Sequence, residues 1–393
     1  MIASFAWLCV FPPSLALLYF SLEVLLGLRS VASLPSGGPD LDVAVVIPAH
    51  DEAAQIAGTV ERLRERLLPA TRIVVVADNC SDGETATLAR SAGAEVIERN
   101  DPSQRGKGFA LDFAREFLAS APPQAVFVLD ADCRLERGSV EAAAGRAVAR
   151  DEPVQAVNLL HAAPAASPLV QLSNFAMLIK NLVRARGLHR LGGGIPLFGT
   201  GMAFPWAIFS RLELATSDAV EDLRLSLILA LRGVRVYLDE ETRVTSPAAP
   251  LEDSLGQRRR WEHGFLLNAM RHAMPLLIKG IARRSRHLGA LGAHMLVPPL
   301  ALLFLVAGVA AMPALAAALA SGAPGPLAFL SLSFLAAVTA TGLAWRREGR
   351  STLSLAALAR APLYVLWKIP LYIGFVTSRQ REWNRTRRVN EKT

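Results

Sequence analysis

Cysteine is scarce in this chain of 393 residues: Cys9, Cys80 and Cys133 are all there is, and no metal-binding or disulfide spacing links them. That excludes a disulfide-stapled secreted domain and a zinc finger, and it suits a reducing, cytosolic face. Charge is thin as well, at 19% of residues against 52% hydrophobic ones, too apolar for an ordinary soluble enzyme of this size. The glycine motifs of common nucleotide-binding folds are missing. A dinucleotide fold needs Gly-x-Gly-x-x-Gly after its first strand, where Pro48-Ala49-His50-Asp51-Glu52 stands instead. Arg105-Gly106-Lys107-Gly108 lacks the upstream glycine and the Ser/Thr of a P-loop. Met1 to Phe11 contains no Lys or Arg, so a signal peptide would lack its basic start.

The apolar excess sits at the two ends. Phe5 to Leu28, uncharged except for Glu23, is long enough to span a hydrocarbon core of roughly 30 Å. Pro12-Pro13 is a candidate kink, Arg29 puts the following chain on the cytoplasmic side, and Ser33 to Pro39 reads as a linker. Near the other end, Leu288 to Ala320 exceeds one straight span, with a bend or end expected at Pro298-Pro299 or Pro313. Leu327 to Trp345 returns the chain to Arg346-Arg347. Leu353 to Val376 would bury Arg360 and Lys368 if it crossed, so it is expected to lie at the interface, giving three crossings. The spans otherwise lack the inward-facing acids of a transporter.

The net charge of +8 gathers beside these spans, at Lys279 to His287, Arg346 to Arg350 and Arg379 to Lys392. This placement favours lipid headgroups, and no aromatic-interleaved basic stretch supports nucleic acid as a partner.

Between the ends, apolar strands alternate with helices. Val43 to Pro48, Arg72 to Asp78, Glu95 to Ile97 and Ala125 into Asp130 read as strands. Gln55 to Leu68, Glu84 to Ala92 and Lys107 to Ala119 read as the helices between them. The pattern predicts an α/β domain with a parallel sheet covered on both faces. In such sheets ligands collect beyond the carboxyl ends of the strands, where Asp78, Asp130 and Asp132 fall. Asp130-Ala131-Asp132 either holds a hard divalent cation or caps the next helix. An Asx turn is the alternative reading of Asp78 and Asp82.

Ile47-Pro48-Ala49-His50-Asp51-Glu52, Ala77-Asp78-Asn79-Cys80-Ser81-Asp82-Gly83, Arg105-Gly106-Lys107-Gly108, Asp130-Ala131-Asp132, Val220-Glu221-Asp222 and Gln257-Arg258-Arg259-Arg260-Trp261 occur in one order. Over roughly residues 42–265 that order resembles the membrane-embedded family 2 glycosyltransferases, among them cellulose, hyaluronan, chitin-oligosaccharide and poly-N-acetylglucosamine synthases. The resemblance implies a GT-A (nucleotide-diphospho-sugar transferase) domain with flanking transmembrane helices, using Mg2+ or Mn2+. It implies Asp132 as metal ligand, and Glu52, Asp78, Lys107, Asp130 and Arg260 as donor contacts. Asp222 would be the general base, suited to that task where its pocket raises its pKa. Gly199, Thr200, Gly201, Glu221, Gln257 and Trp261 would face the acceptor. Val220 replaces the family's usual threonine, which removes a hydroxyl beside the base. Asp51 stands where asparagine is usual and takes no role, and His50 is expected to be a hydrogen-bonded loop residue.

The expected division is an N-terminal helix and linker over 1–34, the catalytic domain over 35–256 and an interfacial amphipathic helix over 257–287. Two transmembrane helices over 288–350 and an interfacial helix with a basic tail over 351–393 complete it. The expected activity is inverting transfer of a sugar from a nucleotide donor, UDP-linked, to a saccharide or lipid-linked acceptor. It would serve cell-surface polysaccharide synthesis at a bacterial-type inner membrane, with the catalytic domain cytoplasmic. Membrane lipids and polysaccharide-export subunits are the expected partners. A single-sugar transferase to a lipid-linked precursor is the alternative; a transporter or an inactive scaffold is a more distant one.

Overall fold

The computed structural model describes residues 1–33, 41–161, 166–247 and 251–377. The expected linker beyond Ser33 and the basic tail Arg379 to Lys392 lie outside the described residues, as does the side chain of Gln257. The chain divides into two compact units. Among the described residues, one holds Met1–Ser30, a stretch ending at Gly193 and Leu266 to Thr377; the other holds Val31–His161 and Gly194–Phe265.

The second unit is built on an eight-stranded sheet. Its strands are β1 Val43–Ala49, β2 Arg72–Asp78, β3 Glu95–Arg99, β4 Ala125–Val128, β5 Arg134–Arg137, β6 Val154–His161, β7 Met202–Pro205 and β8 Tyr237–Pro247. The order across the sheet is β3-β2-β1-β4-β7-β6-β8-β5. The first four strands are parallel; β1, β2 and β4 are the buried apolar runs that predict this, while β3 is a partly exposed edge strand. The sheet as a whole is mixed rather than parallel, because β7 lies antiparallel to β4 and β6, and β5 antiparallel to β8. These later strands are short or polar, so alternation of helix and strand does not reveal them.

Helices Ile56–Arg64, Thr85–Ser91 and Lys107–Leu118 make the crossovers. Ile56, Val60 and Leu63 recur on one face of the first and pack into a core with Val45, Ile47, Phe127 and Leu129. The parallel strands end in the same direction, so the loops after β1, β2 and β4 open on one edge. The strand leading to Asp130 stops at Val128, and Asp130 to Cys133 form a tight turn closed by Cys133 N–H donating to Asp130 O at 3.0 Å. The next element is β5, and the following helix, Val140–Arg150, is capped by Ser139. Asp130 and Asp132 therefore cap nothing. Asp82 does cap: its carboxylate takes the Glu84 and Thr85 N–H groups at the start of Thr85–Ser91.

In the first unit, Ile2–Leu26, Leu300–Ser321 and Gly325–Gly349 are long and apolar enough to cross a membrane. The helix Ile2–Leu26 runs through Pro12-Pro13 without ending. The stretch from Leu288 to Ala320 is two helices, Arg286–Leu296 and Leu300–Ser321, parted at Pro298-Pro299, while Pro313 stays inside the second. Leu353 to Val376 is broken into helices of four, seven and nine residues. An inward-facing acid is present after all. Glu23 has no exposed surface, and its carboxylate takes Arg184 Nε at 2.6 Å and lies 2.7 Å from His294 Nδ1. Gly27 and Gly187 admit this crossing, since a Cβ on either would strike the backbone of Val183 or Glu23 at under 2 Å.

Candidate active site

The carboxyl edge of the sheet carries two groups of polar side chains. The first lies at the ends of β1 and β2. Asp78 closes β2 almost buried, and its carboxylate takes Arg99 Nη1 at 2.7 Å. Burial raises the Asp78 pKa, with the Arg99 contact working against it. Arg99 also stacks over Phe109, 5.4 Å from the ring centroid. The sequence reading missed Arg99 because it ended β3 at Ile97; the strand continues far enough to bring Arg99 level with Asp78. Glu52 is buried in the loop after β1, its N–H donating to Thr85 Oγ1 at 2.8 Å. His50 Nδ1 lies 2.7 Å from Asp78 O, the loop role expected of it. Asp51, which had no assigned role, ties the two loops together by accepting from Ser81 N, Ser81 Oγ and Asp82 N.

The second group lies beyond β4. Lys107 opens its helix after Gly106, whose φ of 134° only glycine adopts readily. Its ammonium bonds Asp130, donates to Gly199 O at 2.5 Å and stands 3.9 Å from Glu221. Burial alone would lower the Lys107 pKa, but the carboxylates of Asp130, Glu221 and Asp222 outweigh it and raise the value. Burial pushes Glu221 up to about 7; Lys107 opposes that shift and Asp222 adds to it. Asp222 stands in the first turn of its helix Glu221–Leu231, and one of its oxygens takes the first-turn Leu223 N–H at 2.8 Å. The other oxygen lies 3.4 Å from the point where a Cβ on Gly199 would stand.

The loop Gly199-Thr200-Gly201 joins these parts in an unexpected way. Gly199, with φ of 82°, is the only one of the three that is not buried. Thr200 is 2% exposed, and its hydroxyl accepts from Asp130 N at 3.0 Å and donates to Cys133 Sγ at 3.4 Å. Gly201 packs against Ala156 and Val244 and donates to Val128 O. Thr200 and Gly201 are thus occupied beneath the turn, which corrects the expectation that they face an acceptor. Gly193, by contrast, simply ends a helix, its N–H donating to His189 O.

Asp130, Asp132 and Cys133 offer ligand atoms that all lie within 4.8 Å of one another. Two half-buried carboxylates suit a hard or borderline divalent ion such as Mg2+ or Mn2+, so the residues present fit such a metal. The helix Leu251–Ala282 carries Arg260 and Trp261, both half-buried. Gly264 on that helix lies against Val220, where a Cβ would meet the valine side chain at 2.7 Å. Arg260 precedes Gly264 by four residues and Trp261 by three, so both share the helix face that packs on the segment leading into Glu221 and Asp222.

A sheet whose parallel half gathers acids, a lysine and a glycine loop at its carboxyl edge has the architecture of a GT-A nucleotide-sugar transferase domain. The chain belongs to the glycosyltransferase like family 2, whose model matches residues 39–264, more than half of its length. No curated protein matches the sequence significantly. Among solved structures it is similar to a mannosyltransferase from Pyrobaculum calidifontis in complex with GDP-Man and Mn2+. That likeness has a TM-score of 0.56 at 19% identity, over 94% of this chain and 100% of that one. Glucosyl-3-phosphoglycerate synthase from Mycobacterium tuberculosis matches at 0.39 and 18% identity, over 60% and 87% of the two chains. Mannosyl-3-phosphoglycerate synthase from Rubrobacter xylanophilus matches at 0.36 and 19%, over 63% and 75%.

Proposed function

We propose that the protein is a metal-dependent, inverting glycosyltransferase that moves a sugar from a nucleoside diphosphate donor to a membrane-associated saccharide or lipid-linked acceptor. The observation that carries this reading is the convergence of Lys107, Asp130, Gly199, Glu221 and Asp222 beside the Asp130, Asp132 and Cys133 donor set. Asp132, with Asp130, would hold Mg2+ or Mn2+, which when bound neutralises charge on the departing diphosphate. Asp78 and Glu52 bind the nucleoside end of the donor. Lys107 holds Asp130 and Glu221 in place, and Arg260 offers a planar cation to the diphosphate.

Asp222 takes the proton from an acceptor hydroxyl as its oxygen bonds to the anomeric carbon. The bond from that carbon to the diphosphate oxygen breaks, and the diphosphate leaves with the electron pair. One displacement inverts the anomeric configuration. The bare backbone of Gly199 leaves room for the acceptor beside Asp222, while Trp261 and Gln257 bind its sugar ring. Thr200 and Gly201 act as positioning residues beneath Asp130.

A UDP-linked donor is the first choice, on the resemblance of the motifs. A GDP-linked one is the second, favoured by the full-length likeness to a structure holding GDP-Man. Three long apolar helices among the described residues are few for one copy to build a secretion channel. This supports transfer of one sugar to a lipid-linked precursor, with polysaccharide-export subunits as partners if chains are made. The test is transfer of radiolabel from a panel of UDP- and GDP-sugars by protein in bacterial lipid extract. Label entering the organic phase as a single product supports the lipid-linked reading, and a ladder of water-soluble products supports polymerisation. No incorporation from any donor overturns the proposal.

A further inference from the structure

The turn after β4 contains one residue that neither the motif nor the proposed chemistry uses. Cys133 is 1% exposed, yet its sulfur points into the acidic cluster, 3.6 Å from Asp132 Oδ1. Its thiol donates to that carboxylate oxygen. The Thr200 hydroxyl, which accepts from Asp130 N–H at 3.0 Å, donates to Cys133 Sγ at 3.4 Å. Ser246 Oγ stands 3.2 Å from the same sulfur. A hydroxyl donated to the sulfur, as from Thr200, is support of the kind a metal-bound ligand receives from its surroundings. The separation from Asp132 is about that between adjacent oxygen and sulfur ligands of one ion, given metal–ligand lengths of roughly 2.1–2.3 Å.

We propose that Cys133 is a third protein ligand that sets the metal preference of this site, turning an all-oxygen pair into a mixed oxygen–sulfur set. On coordination the thiol proton leaves to solvent and the sulfur lone pair bonds to the ion. A thiolate ligand favours borderline and soft ions over Mg2+, so Mn2+ is preferred to Mg2+ and Cd2+ binds more tightly than either. The inference rests on the glycosyltransferase reading, which assigns the metal to Asp132.

The test uses full-length protein with Cys9→Ser and Cys80→Ser, leaving Cys133 as the sole thiol, and the probes are Cd2+ and Mn2+ with UDP or GDP present. A sulfur-to-cadmium charge-transfer absorption is expected to saturate at one ion per chain. Cys133→Ser should abolish that band and weaken Cd2+ binding about tenfold or more, while Mn2+ binding, read by electron paramagnetic resonance, changes less. Asp132→Asn, with the thiol intact, should also lose the band, and circular dichroism checks that each variant is folded. Mn2+ bound without any cadmium–sulfur band overturns the role of Cys133 alone. A band that survives Asp132→Asn overturns it as well, because the thiol would then act outside the site. Failure of folded protein to bind Mn2+ with either nucleotide overturns the glycosyltransferase reading itself.

Discussion

Gly199 and Asp222 face each other closely enough that a side chain on the first would touch the carboxylate of the second: an added Cβ would lie 3.4 Å from Asp222 Oδ2. The glycine also holds a φ of 82°, which other residues adopt at a cost of about 1–2 kcal/mol. Gly199→Ala is therefore expected to lower stability by about that amount. It should reduce transfer by up to about 100-fold through displacement of the reacting groups, with donor affinity little changed. Denaturation curves and separate kcat and KM values check the two effects.

Lys107 is the cation shared by Asp130, Glu221 and Asp222. Replacing it by Met takes the shared cation from three half-buried carboxylates, a change expected to cost about 1.5–3 kcal/mol. Adding Glu221→Gln to Lys107→Met removes one of those charges and should recover part of the loss. Chemical denaturation in detergent measures both variants, and additive losses would contradict the shared-cation role.

The raised Glu221 pKa has a consequence for stability. An acid whose folded value, about 7, lies above its ordinary 4.5 takes up a proton on folding. Its contribution is full below the lower value and is lost as the pH rises through the upper one. With metal removed by chelator, the catalytic unit should become less stable between about pH 4.5 and pH 7, and Glu221→Gln should flatten that slope. Thermal melts at several pH values give the answer.

In the apolar unit, Glu23, Arg184 and His294 form a buried cluster. Arg184→Met leaves Glu23 with no cation at 2.6 Å and is expected to destabilise by about 3–5 kcal/mol. Replacing all three by apolar residues of similar size should restore much of the loss. The melting temperature in detergent distinguishes the two variants.

Most of the parallel half of the sheet was legible because β1, β2 and β4 are buried and read as nearly unbroken apolar runs. The acids were legible from their place after such strands. What stayed hidden depends on pairing between distant segments. Arg99 meets Asp78 only because β3 lies beside β2, and no periodicity in Glu95 to Arg99 announces that. Thr200 looked like an exposed loop residue among glycines, whereas its burial follows from β7 pairing with β4. The mixed character of the sheet was hidden for the same reason: β5 and β7 have four residues each, too few to show a period. Glu23 reads as a lone charge in an apolar span because its partners Arg184 and His294 lie more than a hundred residues away in sequence.

The most direct test compares wild type with Asp222→Asn and Asp132→Asn for sugar transfer and for Mn2+-dependent donor binding, using the donor that wild type turns over. The account predicts that Asp222→Asn binds donor and Mn2+ normally and loses transfer by about 100-fold or more, while Asp132→Asn loses metal-dependent binding as well. Transfer by Asp222→Asn at the wild-type rate would contradict it.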